Sequence, residues 1–270
     1  MKTKLTLVLV SLATALFATT ASAQIRVQVS PQIFERVISP GGTLNDRLRF
    51  TNAGTIPLEV SLELADLDVD EAGNAVKFPP ATQPHSLAPY LRVTPIKATI
   101  EPGQSMNYRL VAKLPAEFDH RRLMLYFLSK PVLDDEAGGS RTIVVPKVGV
   151  PVYVESRAAN AARLDVSEVE WSRIEGDQLE LRMTTRNEGE RSIRPPGSVE
   201  VSSRDGSFYE VFDLNDGVAP VLPGHVRHWA FAVGPVPGGE LSAKLIFATT
   251  LRDSFVREYE IAASGDLGAE

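Results

Sequence analysis

The sequence predicts an all-β protein in which two tandem sandwich domains follow an N-terminal signal peptide. Alternating apolar residues fill short segments that end at Gly, Pro, Asn or Asp, as in antiparallel strands joined by tight turns. One pattern, an Asn-x-Gly turn followed later by a Pro-Gly turn, occurs once in each half of the chain. The four turns are Asn52–Gly54, Pro102–Gly103, Asn187–Gly189 and Pro223–Gly224. The repetition predicts two domains of the same kind.

Residues 1–23 have the features of a secretory signal peptide. Lys2 and Lys4 precede an uncharged apolar run, and Ala21-Ser22-Ala23 forms a small-x-small cleavage sequence. The alternatives are a membrane helix or a buried N-terminal strand, but the run is short for a membrane span and ends in small residues. We therefore expect cleavage before Gln24 and export. In a bacterium with two membranes, this means a periplasmic protein.

Composition agrees with a soluble exported protein. A chain of 270 residues is long enough for two domains that each bury a core. The sequence has no later apolar run of about 18 residues, so we expect no integral membrane segment in the mature chain. The chain has no Cys, so disulfides are excluded. A net charge of −6 argues against a nucleic-acid partner, which would need clustered Lys and Arg.

The first domain is predicted to span residues 24–156. Its opening strand is broken at Pro31, because Pro cannot donate a hydrogen bond to a strand ladder. Turn residues separate the later segments, and two long strands end the domain. The predicted strands are 25–29, 34–38, 44–51, 58–69, 90–93, 97–100, 106–110, 122–131 and 142–154.

The second domain is predicted to span residues 163–262. A polar, Ala-rich connector at 155–162 leads into it and could also form a fragment of helix. The small and polar residues 263–270 are predicted to be a flexible tail. The predicted strands are 164–174, 179–187, 198–203, 207–212, 228–233, 241–248 and 255–261.

Residues that could support catalysis or bind a metal do not form a convincing group. Of the four histidines only His225 and His228 are close in sequence, and residues i and i+3 of a strand face opposite sides. We predict that all four histidines, which include His85 and His120, are surface or turn residues. No nucleophile elbow, phosphate loop or dinucleotide-binding sequence occurs. We expect that the protein is not an enzyme and that it has no metal site and no cofactor.

Three alternating carboxylates offer a second candidate metal site. Asp66, Asp68 and Asp70 would share one face of a strand. However, Glu71 stands where an EF-hand loop needs Gly, and Lys77 stands where it needs the bidentate Glu. We predict a solvated strand face that leads into a hairpin, in preference to a calcium site.

The last strand of the first domain is unusual because residues 143–154 are apolar on both faces. Ile143, Val145 and Tyr153 share one face, and four valines share the other. A central strand buried on both sides would explain this pattern. Pro146 and Pro151 instead indicate an unpaired edge, and an apolar edge is an aggregation hazard unless it pairs with another chain. Both interpretations remain open at this stage.

Several features of the sequence resemble those of a known protein family. The exported precursor, the Arg-bearing first strand Phe34–Ile38, the Asn52–Gly54 turn and the long strand pair before the connector are similar to those of the periplasmic PapD-like chaperones of the chaperone/usher type. The resemblance covers the whole mature chain in length and layout. It implies two immunoglobulin-like β-sandwich domains. It also implies a chaperone that binds and caps exported pilus or fimbrial subunits, with an outer-membrane usher as a further partner.

The resemblance also implies roles for particular residues. The last strand of the first domain would donate alternate side chains to an incomplete subunit, which assigns Ile143, Val145, Lys147 and Gly149 to the donor strand. A basic pair would hold the subunit's C-terminal carboxylate, and Arg36 and Lys147 are the candidates. Arg and Lys bind a carboxylate through charge-assisted hydrogen bonds. The alternatives are that both are ordinary surface charges, and that the protein is an exported structural or adhesive component of a surface assembly.

Overall fold

The computed structural model describes residues 24–132, 145–174, 177–214 and 219–263, and these residues form an all-β protein. Ten strands precede the connector: β1 Val27–Ser30, β2 Phe34–Ile38, β3 Thr43–Asn52, β4 Leu58–Val69, β5 Ala75–Phe78, β6 Leu91–Thr94, β7 Lys97–Ile100, β8 Ser105–Lys113, β9 His120–Pro131 and β10 Lys147–Ser156. Seven follow it: β11 Leu164–Ile174, β12 Gln178–Asn187, β13 Gly197–Ser203, β14 Tyr209–Asp213, β15 Val226–Val233, β16 Leu241–Ala248 and β17 Ser254–Ile261.

The first domain packs two sheets against each other. One has the order β1-β3-β8-β6, and the other has the order β2-β10-β9-β4-β5 with β7 also paired to β4. The chain changes sheet between β1 and β2, at the position of Pro31. Between the sheets, the ring of Phe127 lies 5.3 Å from that of Phe50 and 5.0 Å from that of Tyr108. All three side chains are fully buried, so this aromatic group forms the centre of the core.

The second domain is a smaller sandwich with its own core. Its sheets have the orders β11-β12-β15 and β14-β13-β16-β17. Trp229 of β15 packs edge-on against Phe247 of β16 at 5.5 Å, and its indole N–H donates to the buried Thr185 at 2.9 Å. Apolar residues on alternate positions of β12 and β16 complete this core, as expected for strands with one buried face.

The repeated turn pattern has one structural explanation in both domains. Asn52 is fully buried, and its side-chain amide donates to the carbonyls of Ile56 and Ile100 while its carbonyl accepts from Gly54 N–H. The main chain of Asn52 also accepts from Gly103 N–H, which joins the two turns. Each pattern therefore fastens a strand end to a distant turn by saturating one buried amide.

Asn187 repeats this network in the second domain. Its amide donates to the carbonyls of Arg191 and Val221, its side-chain carbonyl accepts from Gly189 N–H, and its main chain accepts from Gly224 N–H. The fold class predicted from the repetition is thus confirmed, and the predicted strands occur close to their predicted bounds. The short strand β5 was missed, and the connector forms turns instead of a helix.

Candidate functional site

The candidate site is an uncovered strand edge on the first domain. Strand β10 pairs along nearly all of its length with β9, from Lys147 opposite Leu128 to Glu155 opposite His120. On its other side β2 pairs with it only from Val152 onward. Among the described residues, the segment 147–151 therefore has a partner strand on one side only. The structure favours the interpretation of this segment as an edge strand over that of a central strand.

The position of Pro151 agrees with an open edge. Ser129 N–H donates to the carbonyl of Pro146 at 2.9 Å, so Pro146 directs its backbone toward β9. Because this direction alternates along an antiparallel strand, Lys147, Gly149 and Pro151 direct theirs toward the open edge. The missing N–H of Pro151 thus costs no hydrogen bond in the β9–β10 ladder.

Two of the predicted donor residues, Lys147 and Gly149, lie on the outer face of this strand, and Val145 lies two residues before the strand begins. Val145 is 44 % exposed, and Lys147 and Gly149 are exposed as well. Val150, by contrast, points into the core and is buried. Ile143 lies outside the described residues. The outer face therefore presents one apolar side chain, one charged side chain and one glycine to anything added at the edge.

Lys147 lies on the open edge and already has partners within the chain. Its ammonium group is 2.6 Å from a carboxylate oxygen of Glu63 on β4. It also lies 4.4 Å from the ring centroid of Tyr126 on β9. The Lys147 side chain remains 45 % exposed, so an approaching carboxylate could still reach it.

Arg36 lies in a different place. Its guanidinium pairs with Asp46 at 2.6 Å and stacks over the ring of Phe34 at 4.4 Å. In the parallel β2–β10 ladder Arg36 is opposite Val154, seven residues from Lys147. At about 3.3 Å per residue the two positions are roughly 23 Å apart. The structure does not bring Arg36 and Lys147 together, so they cannot hold the same carboxylate group.

The other end of the outer face is covered by the second domain. Leu67, Met124 and Tyr153 form a buried apolar group with Leu222, which follows β14 in the chain. Beside this group Arg194 of the second domain donates to Glu35 of β2, and its guanidinium lies 5.4 Å from the ring of Tyr153. A cation that sequence reasoning missed therefore lies next to the end of the open edge.

The β4–β5 hairpin also contacts the second domain. The carbonyl of Glu71 at its tip accepts from His228 N–H at 2.7 Å. Gly73 adopts a φ of +84° and lies directly against the guanidinium of Arg227, which in turn lies 4.3 Å from the ring of Trp229. A side chain at Gly73 would overlap that guanidinium, so the glycine permits the contact.

A Gly73→Ala variant should weaken this contact between the domains. Ala at a positive φ costs about 1 kcal/mol anywhere, and here it also displaces Arg227 from Trp229. Gly103→Ala is the matched control, because Gly103 has a φ of +73° and open space around it. We expect thermal unfolding at a lower temperature and a shifted Trp fluorescence spectrum for Gly73→Ala. Equal changes in both variants would show that the hairpin contact is unimportant.

Asp68 and His225 form a charged link between the domains. The His225 Nε2 lies 2.9 Å from Asp68 and its Nδ1 lies 3.0 Å from the carbonyl of Pro223. Both neighbours can only accept, so this pair of contacts favours the imidazolium form, in which both ring nitrogens donate. The hydrogen bond to Asp68 accordingly raises the pKa of His225. Burial alone would raise the pKa of Asp68, but the bond from His225 and the charge of Arg122 lower it to about 2.

The prediction that Asp66, Asp68 and Asp70 form a solvated strand face is wrong for Asp66. This residue is fully buried and accepts from the backbone N–H groups of residues 81–83 at 2.8 to 3.2 Å and from the Ser86 hydroxyl at 2.5 Å. The loop between β5 and β6 folds back over this part of β4, which the alternation of charges could not indicate. Asp66 therefore acts as the anchor of that loop.

The prediction of four surface or turn histidines is wrong for His120. Its side chain, on the first residue of β9, is buried and stacks on His85 at 4.0 Å. Burial, followed by the nearby His85 and Arg122, lowers the pKa of His120 to about 3. The ring is therefore neutral at physiological pH. The cause again lies in the β5–β6 loop, which carries His85 onto the strand.

Another edge of the molecule shows how an edge is normally protected. Strand β17 pairs with β16 on one side, and Arg257, Glu258 and Glu260 are exposed along it. Such charges discourage pairing with other chains. The open segment of β10 carries Lys147 alone among charged residues, between Val145 and Gly149. Its chemistry permits the pairing that β17 discourages.

The described part of the chain contains no cluster of three or more His, Cys, Asp or Glu side chains that could bind a metal ion. Within that part, no helix is long and apolar enough to cross a membrane. The fold and the site thus define a two-domain β-sandwich protein with an uncovered strand edge beside its interdomain contact.

The chain is similar in structure to chaperones of pilus assembly. The YadV chaperone is 12% identical over 87% of this chain and 98% of its own, with a TM-score of 0.46. The class 5 fimbriae chaperone CfaA is 12% identical over 86% and 98%, with a TM-score of 0.45. A Salmonella enterica complex of the SafA pilin with the SafB chaperone is 13% identical over 90% of this chain and 98% of that chain, with a TM-score of 0.41. No family model and no curated protein matches the sequence.

Proposed function

We propose that this protein is a periplasmic chaperone that binds an exported pilus-type subunit by pairing the open edge of β10 with a strand of that subunit. The observation that carries the proposal is the edge itself: five residues, 147–151, have a partner strand on one side only and carry little charge. An uncovered edge of this kind binds extended segments through main-chain hydrogen bonds.

The neighbouring strand limits what can bind. Because β2 occupies the same side of β10 from Val152 onward, an added strand has room for about five residues along the described edge, or roughly 17 Å. A strand that runs parallel to β10 must end or turn there. This space suits the terminal strand of a partner better than a strand in the middle of a long sheet.

Three cations are separate candidates for the group that holds the C-terminal carboxylate of the subunit. Lys147 lies on the edge, Arg36 lies beside the paired part of β10, and Arg194 lies near the point where β2 begins to cover it. A charge-assisted hydrogen bond is worth about 1.5 to 3 kcal/mol, or roughly tenfold to a hundredfold in affinity. Single substitutions of the three residues by Ala would show which of them contacts the subunit.

Val145→Glu should abolish subunit capture without unfolding the first domain. The new charge would have to be buried against the partner strand, whereas in the unbound protein the side chain is exposed to water. We expect recovery of the subunit from periplasmic extracts to be lost, with the melting temperature changed by less than about 2 °C. Unfolding of the variant would instead show that this strand end belongs to the core.

Val256→Glu is the matched control for this variant. Val256 is 55 % exposed on the charged edge strand β17, so the same substitution there should leave capture intact. The partner would be identified by mass spectrometry of what co-purifies from the native host. A small exported β protein near one-to-one, lost only with Val145→Glu, supports the proposal. A chain found permanently within a surface polymer would favour a structural or adhesive role.

A further inference from the structure

Tyr126 and Gly149 form a distinctive pair on the outer face beside the open edge. They lie directly opposite each other in the β9–β10 ladder. A Cβ atom on Gly149 would be 2.9 Å from Cε1 of Tyr126 and 3.0 Å from the sulfur of Met124. Real Cβ atoms almost never approach so closely, so the Tyr126 ring occupies the space where a side chain of residue 149 would stand.

The Tyr126 ring therefore covers the outer surface of β10 at Gly149. It covers a glycine of the edge strand, and a side chain on an added strand opposite Gly149 would meet the ring. Cross-strand pairs of aromatic or apolar residues stabilise a sheet, and an aromatic ring that covers an edge glycine does so as well. Tyr126 is only half-buried in the unbound protein, so its ring keeps surface for such a contact.

Two ammonium groups surround the ring. Lys147 lies 4.4 Å and Lys77 lies 5.6 Å from its centroid, both within the range of a cation–π interaction. Glu63 compensates the charge of Lys147. A third cation brought to the ring by a partner would be repelled by both lysines, whereas an uncharged apolar side chain would not.

We propose that Tyr126, lying over Gly149 between Lys77 and Lys147, selects partner strands that place a large apolar or aromatic side chain opposite Gly149 and that it rejects Lys and Arg at that position. This inference rests on the proposed function, because it requires a strand paired to β10. It adds a preference for one side chain of that strand to the pairing of its backbone.

The test is a selection of phage-displayed random segments of about 12 residues on the mature protein, with Val145→Glu protein used to discard segments that bind elsewhere. Segments that bind the edge should share one position enriched in Phe, Tyr, Leu or Met and depleted of Lys and Arg. Replacing that residue by Ala in a synthetic peptide should weaken binding about fivefold. The loss should fall below twofold when the same two peptides are compared on Tyr126→Ala protein.

Tyr126→Phe is the control that keeps the ring, and it should retain the fivefold difference. This variant also serves if Tyr126→Ala fails to fold, together with Tyr126→Leu, which keeps an apolar side chain without the ring and should reduce the difference. Edge-binding segments without a shared apolar position, or a fivefold loss that persists without Tyr126, would overturn the inference and leave strand pairing intact. A library that yields no segment dependent on Val145 would overturn both.

Discussion

Replacing Asp66 by Ala should destabilise the first domain by about 3 kcal/mol or more, the largest effect of a single substitution that we expect. The substitution leaves three part-buried backbone N–H groups and the buried Ser86 hydroxyl without their acceptor. A buried donor that loses its partner costs about 1 to 3 kcal/mol, and water entering the loop would offset part of the total. Urea unfolding followed by circular dichroism measures the change.

Two companion variants separate this explanation from a simple loss of charge. Asp66→Asn keeps one acceptor oxygen but turns an NH₂ group toward the loop donors, so it should be nearly as destabilised. Asp70→Ala removes a carboxylate that is exposed and contacts Asn74 only locally, and it should change stability far less than Asp66→Ala does. Similar losses at Asp66 and Asp70 would contradict the anchoring role.

The second large effect is loss of stability in mild acid, which we assign to His120. Its pKa is lowered from 6.5 to about 3 in the folded protein. The unfolded chain therefore binds a proton below about pH 6.5, whereas the folded protein resists protonation until about pH 3. The free energy of unfolding should fall as pH falls through this window, by about 1.4 kcal/mol per pH unit for one such group.

His120→Phe is the informative variant, since it keeps an aromatic ring against His85 and cannot be protonated. We expect the unfolding free energy to depend less steeply on pH between pH 6 and pH 4, by the equivalent of about one bound proton. His85 accounts for part of the pH dependence that remains, because burial also lowers its pKa. His228→Phe is the control, because His228 is more than half exposed. An unchanged slope in His120→Phe would show that other groups cause the acid sensitivity.

The interdomain pair contributes in the opposite direction. Because the folded-state pKa of His225 is raised, its contribution to stability is complete below about pH 6.5 and is lost as pH rises through that raised value. Asp68, with a pKa of about 2, loses its contribution only between about pH 4 and pH 2. The link between the domains is therefore strongest in mild acid, where protonation of His120 in the unfolded chain already lowers the free energy of unfolding.

Much of the fold could be read from the sequence because its signals are local. Alternating apolar residues predict strands, and the repeated Asn-x-Gly and Pro-Gly turns predict two similar domains, since each buried Asn serves the turn that contains it. Pro151 likewise indicated an open edge, because a residue without an N–H group must lie where no hydrogen bond is needed.

The interactions that the sequence did not reveal join residues far apart in the chain. Asp66 became a buried anchor because the β5–β6 loop folds back onto it, and His120 was buried because the same loop carries His85 there. Arg36 and Lys147 lie about 23 Å apart because the parallel register of β2 on β10 sets Arg36 opposite Val154.

The sequence by itself determined most of the strands, the turns and the two-domain layout, because each depends on backbone geometry within a few residues, and it offered an unpaired edge as one of two interpretations. Only the tertiary structure decided which charges meet, as in the pairs Asp68–His225 and Glu35–Arg194, and which side chains cover the edge. The physical reason is that side-chain contacts between strands depend on register and on the docking of the domains, and no local pattern encodes either.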